Sequence, residues 1–105
     1  MGFKTEYSEQ AAADLADVIQ YLSDELCSPQ AAERFYQAVY EKLEVLSENP
    51  YIYPLHHDEK LYAEGYRFAV IGNYLMFYMV NDDSSIVDIV RIVYGGRDIS
   101  AVFEE

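Results

Sequence analysis

Three runs of β-branched and aromatic residues lie between Tyr66 and Asp98, and short polar or glycine turns separate them. The first run ends at the pair Gly72-Asn73, and the second ends at the polar residues 81–85. Runs of this composition, joined by turns this short, predict consecutive antiparallel strands. The stretch therefore predicts a three-stranded antiparallel meander, which limits the rest of the chain to elements that can pack on a sheet.

Two amphipathic helices are predicted before the meander, because apolar residues recur there at spacings of three and four. Ser8 is expected to cap the first helix, and Ser28 with Pro29 is expected to start the second, which ends at Asn49-Pro50. The connection between them is short, so we expect an antiparallel αα-hairpin. The predicted apolar stripes are Ala12, Leu15, Val18, Ile19, Leu22 and Leu26 in the first helix, and Ala32, Phe35, Tyr36, Val39, Leu43 and Leu46 in the second.

The remaining segments complete a single α+β domain over residues 1–105. Alternation of polar and apolar residues predicts a first strand at 3–7. Residues 50–65 contain two prolines and no periodicity, which predicts a structured loop. Residues 99–105 are expected to form a frayed helical turn that docks on the body. We therefore expect an N-terminal strand and a helical hairpin packed on one face of a mainly antiparallel sheet.

The composition favours a packed globule, since 51% of the residues are apolar. No apolar run approaches the roughly 20 residues that span a bilayer, so no membrane association is expected. The single cysteine, Cys27, excludes an intrachain disulfide and favours a reducing, cytoplasmic location. His56-His57 has no second ligand pair at metal spacing, and we expect an ordinary loop role for it. No metal or organic cofactor is predicted.

The formal net charge of −12 opposes binding to nucleic acid, which relies on cationic contacts. Residues 1–50 carry ten acids and three bases, whereas residues 60–98 carry five acids and four bases. A contact with a polyanion would therefore have to be local and made by the meander.

Three of the four arginines, Arg67, Arg91 and Arg97, lie in the meander. A buried charge without a partner is costly, so each of them needs a reason to be there. One explanation is an ion pair, of Arg67 with Glu64 or Asp88 and of Arg91 with a C-terminal acid. The other explanation is a functional site. Both stay open at this point.

The helical hairpin, its Asn-Pro exit and the sequences GYRFAVIGNYLMFY and VDIVRIVYGGRD together resemble the RelE/ParE superfamily of bacterial toxins. The resemblance covers essentially the whole chain. It implies a small cytoplasmic toxin of a type II toxin–antitoxin module, bound and neutralised by a cognate antitoxin, with which it can form an oligomer. It also implies one of two activities, ribosome-dependent mRNA cleavage without a metal or inhibition of DNA gyrase. The alternative is a non-toxic interaction protein that retains the fold.

The resemblance assigns a candidate catalytic site to Arg67, Arg91, Tyr94 and Arg97. In the mRNA-cleaving branch, strand arginines bind the scissile phosphate, a role that suits the bidentate guanidinium. Tyr94 would donate a proton or stack a base, although a packed aromatic is its simpler role. Alternation along the strand places Arg91 on the face of Val87, Ile89 and Val93, with Tyr94 opposite.

Two further features bear on the choice between the activities. The loop before the sheet has one lysine, Lys60, where mRNA-cleaving relatives carry several basic residues, and this favours the gyrase-inhibiting branch. The Arg97-Asp98 ending points the same way. The strand arginines and Tyr94 favour cleavage. The resemblance also implies that the antitoxin packs on the helices and the sheet edge, with candidate contacts at Tyr36, Tyr40, Tyr51 and Tyr53.

Overall fold

A computed structural model of the chain describes residues 2–104, so that Met1 and the predicted last residue of the C-terminal turn, Glu105, lie outside the described residues. The order of elements confirms the predicted α+β fold, with the helical hairpin before the meander. The elements are β1 (Lys4–Tyr7), α1 (Glu9–Gln20) with a π-helical continuation (Tyr21–Glu25), α2 (Pro29–Glu48), α3 (Glu59–Glu64), β2 (Arg67–Ile71), β3 (Tyr74–Asn81), β4 (Ile86–Tyr94) and α4 (Ile99–Glu104).

The four strands form one sheet in the order β1-β4-β3-β2. The meander β2-β3-β4 is antiparallel, and β1 adds to β4 in parallel. The β1 strand pairs only as far as Tyr7 with Ile89, so within residues 2–104 no strand pairs with the second half of β4 on that side. At the other side, β2 is the edge strand. No helix among residues 2–104 is long and apolar enough to cross a membrane.

The predicted caps of both long helices are present. The Ser8 hydroxyl accepts the Ala11 N–H at 2.9 Å and donates to the Val90 carbonyl at 2.9 Å, which ties the start of α1 to β4. The Ser28 hydroxyl accepts the Ala31 N–H at 3.2 Å. Each cap satisfies a backbone donor that the first helical turn would otherwise leave unpaired.

The long helices pack on the first face of the sheet, but three positions in the predicted stripes are wrong. Ala11 is fully buried where Ala12 was predicted, and Tyr36 is 56% exposed. Leu26 is 53% exposed because the π-helical segment, in which its N–H bonds to the Tyr21 carbonyl, widens the last turn and changes the direction of the side chain. The buried members of this core are Ala11, Val18, Phe35, Val39, Leu46, Ala69, Ile71, Met76, Tyr78, Val87, Ile89 and Ile92.

The prediction of a loop over residues 50–65 is wrong at its end, where α3 forms. The Asp58 carboxylate accepts the N–H groups of Lys60 and Leu61, and Gly65 ends the helix at φ +90, a conformation that favours glycine. A six-residue helix shows no apolar periodicity, but both of its caps were readable in the sequence.

The second face of the sheet is also covered, whereas packing on one face was predicted. Leu61 of α3 and Val102 of α4 form a buried cluster with Phe77 and Val93. Phe77 and Val93 alternate with residues that face the long helices, as neighbours along a strand do. The sheet is thus enclosed between α1–α2 and the two short helices.

Candidate functional site

Arg91 forms an ion pair with Asp14, a residue of α1 that was not among the predicted site residues. The Arg91 Nε lies 2.8 Å from Asp14 Oδ2, and the two side chains are only 13% and 10% exposed. The same carboxylate oxygen accepts the backbone N–H of Ile92 at 2.9 Å. Asp14 therefore neutralises Arg91 and also accepts a hydrogen bond from the β4 backbone beyond the end of β1. Among the described residues, the acid that pairs with Arg91 is Asp14, where a C-terminal acid was predicted.

A register shift in β4 changes the predicted face of Arg91. Phe77 pairs with Arg91, but the next residue of β3, Tyr78, pairs with Ile89, so that Val90 is the extra residue of a β-bulge. As a consequence Val87 and Ile89 belong to the first core, whereas Val93 belongs to the second. The prediction that these three residues share the face of Arg91 is wrong for Val87 and Ile89, because simple alternation ignores the inserted residue.

Arg67 lies at the beginning of the edge strand β2 and is held without a carboxylate. Its Nη1 donates to the Tyr53 carbonyl at 2.7 Å, and its guanidinium carbon lies 4.9 Å from the centre of the Tyr51 ring. Within residues 2–104 it forms no ion pair with Glu64 or Asp88. The Tyr51 hydroxyl in turn donates to the Asp82 carboxylate, and this hydrogen bond is the main reason that the pKa of Tyr51 is raised.

Two more tyrosines surround Arg67. Tyr78, its partner in register, is fully buried, and its hydroxyl donates to the Pro50 carbonyl at 2.9 Å. Burial raises the pKa of Tyr78 to about 12, and the nearby charge of Arg67 offsets part of this effect. The Tyr53 hydroxyl accepts a hydrogen bond from Lys42 at 3.1 Å. We refer to Tyr51, Tyr53, Arg67 and Asp82 as the Arg67 cluster.

Tyr94 and Arg97 lie where β4 ends. Tyr94 is 52% exposed and packs edge-on against Tyr74, with 5.9 Å between the ring centres. The Arg97 N–H donates to the Tyr94 carbonyl at 3.1 Å. The Asp98 carboxylate accepts the Ala101 N–H at 3.4 Å, so it caps α4.

The two strand arginines of the predicted site, Arg67 and Arg91, are not brought together. Arg67 is on β2 and Arg91 is on β4, with β3 between them, which separates their backbones by roughly 10 Å. Arg91 points its charge at α1, whereas Arg67 contacts the segment that follows α2. Tyr94 pairs with Tyr74 at the turn end of β3, far along the strand from Tyr78. Arg67 and Arg91 therefore do not form one shared phosphate cradle in this arrangement.

The other polar candidates have structural surroundings. His56 is 4% exposed, stacks on His57 with 4.3 Å between ring centres, and accepts the Asp58 N–H on Nδ1 at 3.0 Å. Burial lowers the pKa of His56, so that it is neutral at pH 7. Cys27 is exposed, with its thiol 3.5 Å from the Asp24 carbonyl. In the described part of the chain, no group of three or more His, Cys, Asp or Glu side chains is arranged to hold a metal ion.

Asp14 and Asp82 were not predicted as site residues, and Tyr51 and Tyr53 were predicted only as antitoxin contacts. Tyr51 is 47% exposed and Tyr53 is half-buried. Asp14 lies 77 positions before Arg91, and no local pattern links the two. One feature of the sequence pointed to a buried role for Asp14, because this residue lies in α1 between apolar residues that face the sheet.

Comparison of the sequence with protein families gives one family whose profile covers most of the chain. The family described as ParE toxin of the type II toxin–antitoxin system parDE matches residues 5–99. A comparison with curated proteins gave no match.

The fold is similar to that of several solved toxin structures. In the chromosomal ParDE system from P. aeruginosa, a chain that is 19% identical matches with a TM-score of 0.69, over 88% of this chain and 95% of that one. A chain of the RelBE2 complex from Mycobacterium tuberculosis is 22% identical, with a TM-score of 0.64 over 90% and 99% of the two chains. A mutant of the E. coli toxin RelE in the free state is 16% identical, with a TM-score of 0.66 over 100% and 94%. At these identities the likeness concerns the fold.

Proposed function

The chain belongs to the ParE toxin family of type II toxin–antitoxin systems, and from this membership we propose that it arrests growth by binding a protein target, DNA gyrase, and that a cognate antitoxin neutralises it. Of the similar structures described above, one is described as a toxin–antitoxin complex and another as a toxin–antitoxin system, which supports an antitoxin as the partner. The choice of gyrase as the target is the more specific part of this proposal.

The observation that carries this choice is the ion pair between Arg91 and Asp14. Stabilising the charge of a scissile phosphate requires cationic donors that converge on it and are not already neutralised. Arg91 is bound by a carboxylate at 2.8 Å and is largely buried, and it lies two strands from Arg67. The geometry therefore favours a structural role for Arg91 over phosphate binding.

The shifted tyrosines and His56 are also poorly suited to transfer a proton. Each tyrosine whose pKa is shifted, including Tyr51 and Tyr78 beside Arg67, has it raised. A general acid or base works best when its pKa is near the operating pH. These shifts move the tyrosine pKa values further from it. His56 is enclosed on the second face by Phe68 and Phe77. These observations support action by binding, without cleavage of RNA.

The surface that we assign to target binding is the Arg67 cluster. Arginine and tyrosine are enriched among the residues that dominate protein–protein interfaces. Here the guanidinium is pre-oriented by a backbone carbonyl and a ring, and Tyr51 is half-exposed beside it. A local cation in a chain of net charge −12 suits a specific acidic contact on a protein and does not suit a nucleic-acid backbone.

The test is an induced expression culture scored for both activities. We expect growth arrest with DNA breaks, and inhibition of supercoiling by purified gyrase when the purified protein is added. Arg67→Ala should abolish both effects, whereas Lys60→Ala, which removes an exposed cation on α3, should abolish neither. Thermal unfolding of both variants shows whether they are folded.

Other outcomes identify the competing activities. Cleaved mRNA in primer extension, with gyrase unaffected, would establish the mRNA-cleaving branch and return Arg67, Arg91, Tyr94 and Arg97 to the catalytic role. Absence of growth arrest on expression without antitoxin would establish the non-toxic alternative.

A further inference from the structure

Residues 54–56, which we refer to as the strip, run along the outer edge of β2. The Phe68 N–H donates to the Pro54 carbonyl at 3.1 Å, and the His56 N–H donates to the Tyr66 carbonyl at 2.9 Å. Segments attached by few backbone hydrogen bonds open locally at a fraction of the free energy of global unfolding. Whether the strip stays on β2 therefore depends on what its side chains bury.

His56 is the side chain that anchors the strip to the body of the protein. It is 4% exposed, whereas Pro54 is exposed and Leu55 is half-buried. Its ring lies edge-on to Phe68, with 5.0 Å between ring centres, and 5.3 Å from the centre of the Phe77 ring. The anchor of the strip is thus a titratable group enclosed by two apolar rings of the sheet.

The His56 imidazole fits this place only when it is neutral. Its Nδ1 accepts the Asp58 N–H at 3.0 Å, so the one proton of the neutral ring is on Nε2. A second proton on Nδ1 would face the Asp58 N–H, donor against donor, and would place a charge in an apolar environment. Both effects favour the state in which the ring has left its place, and acid therefore favours opening.

The charged groups around the ring do not reverse this preference. From β2 and β3 the ring is faced by Phe68 and Phe77, which do not titrate. His57 stacks on it at 4.3 Å and opposes a positive charge, whereas Asp58 at the start of α3 favours one. The Asp58 carboxylate is already bound by two N–H groups of α3 and by the Ser100 hydroxyl of α4. Burial is the largest influence, and the pKa of the imidazole is lowered.

Arg67 depends on the same segment for its orientation. Its backbone pairs with Leu55 in an isolated antiparallel bridge. Its Nη1 donates to the carbonyl of Tyr53, the residue that precedes the strip, at 2.7 Å. Detachment of the strip would break the bridge and displace this carbonyl, so the guanidinium would lose its fixed direction.

We propose that the strip is an acid-sensitive clamp on Arg67, which opens when His56 takes up a proton from solvent. At neutral pH the imidazole keeps the strip on β2 and the guanidinium oriented. In acid the protonated ring leaves its place, the strip detaches and the Arg67 side chain becomes mobile. The consequence for target binding rests on the proposed function, whereas the opening rests on the geometry of the strip and is measured without a target.

The test is hydrogen exchange of the wild-type chain, followed by NMR between pH 7.5 and 5, with each rate divided by the intrinsic rate at that pH. The reporters are the N–H groups of His56, Asp58 and Phe68, whose hydrogen bonds hold the strip. Their protection should fall by about threefold to thirtyfold, the upper figure being the ratio that the ordinary histidine pKa of 6.5 gives at pH 5. Low urea concentrations should barely change these rates, since local opening exposes little surface.

Two variants and one side chain complete the experiment. His56→Asn, which does not titrate, should abolish the fall in protection, and the matched control His57→Asn should retain it. The guanidinium N–H groups of Arg67 should lose protection together with the reporters, with the exposed Arg34 as the internal reference. Circular dichroism at each pH confirms that the chains are folded.

Three results would overturn the proposal. The first is a fall in protection that persists in His56→Asn. The second needs no variant, and it is reporter exchange that accelerates with urea as steeply as exchange of the β3 amides, because the strip then opens only with the whole fold. The third is a response of the reporters without one at Arg67. A chain that shows the opening but does not inhibit gyrase contradicts only the proposed function.

Discussion

The two edges of the sheet each hold one arginine, and the two side chains have opposite surroundings. At the β4 edge, Arg91 is largely buried and bound to a carboxylate of α1. At the β2 edge, Arg67 bonds to a backbone carbonyl and lies against a half-exposed ring. A guanidinium paired with a carboxylate in a dry place contributes to the structure, whereas one held by neutral groups keeps its charge for a ligand. From this difference we propose a structural role for Arg91 and a functional role for Arg67.

The largest expected effect is on stability at the β4 edge. Arg91→Met keeps the apolar stem but leaves Asp14 as a buried charge without a cation. We expect the free energy of unfolding to fall by about 3–5 kcal/mol, the usual cost of removing one partner of a buried pair. Urea denaturation measures it. Combining the change with Asp14→Asn should recover part of the loss, since the charge is then removed. A loss below about 1 kcal/mol would place Arg91 among the weakly held surface cations.

The next effect concerns the support beneath Arg67. Tyr78→Phe removes the hydroxyl that donates to the buried Pro50 carbonyl, and we expect a loss of about 1–2 kcal/mol in the free energy of unfolding. Tyr94→Phe removes a half-exposed hydroxyl and serves as the control, with an expected change near zero. Equal losses in the two variants would mean that the Tyr78 hydrogen bond adds nothing to stability.

The fold was predictable where the pattern of residues is periodic or where caps mark an end. The alternation in β2 and β3 and the stripes of α1 and α2 follow from which face is buried, and Ser8 and Ser28 mark the helix starts. The π-helical turn before Leu26 and the bulge at Val90 were not predictable, because each inserts one residue without a local composition that requires it. Each one changes the face of the residues that follow.

The candidate site was predictable only in its residue types. That an arginine in an apolar strand needs a partner follows from the cost of burying a charge. Which partner it finds depends on how the elements pack, and α1 brings Asp14 to Arg91 from the other end of the chain. Among the described residues, the same packing leaves Arg67 without an acid in direct contact.

At the β2 edge, Arg67→Ala should lower the free energy of unfolding by about 1 kcal/mol or less, because only a partly exposed hydrogen bond and a ring contact are lost. Arg67→Ala should therefore lower the free energy of unfolding much less than Arg91→Met does. Urea denaturation of both variants under one condition measures the difference. If Arg67→Ala unfolds as readily as Arg91→Met, loss of toxicity in that variant reports misfolding and the functional assignment of Arg67 falls.

The smallest effect is a pH dependence at residues 54–56, the strip that covers the β2 edge through hydrogen bonds with Tyr66 and Phe68. The pKa of His56 is lowered below its ordinary value of 6.5, mainly by burial and then by the adjacent His57. The unfolded chain therefore binds a proton more readily than the folded one, and the free energy of unfolding should fall as the pH drops from 7 through 6.5 toward the lowered pKa. His56→Asn keeps an acceptor near the position of Nδ1 but does not titrate, so it should remove most of this slope.

His57→Asn is the matched control, because it leaves the buried imidazole in place and should retain most of the slope. Asp58, whose pKa is lowered chiefly by the Ser100 hydroxyl, loses its contribution only at lower pH, as the solution falls below the ordinary carboxyl value of 3.8. Chemical denaturation between pH 7 and 5 therefore isolates the histidine. A wild-type slope that persists unchanged in His56→Asn would show that protonation of His56 does not weaken this edge, and that the hydrogen bonds of the strip to Tyr66 and Phe68 hold it independently of the imidazole.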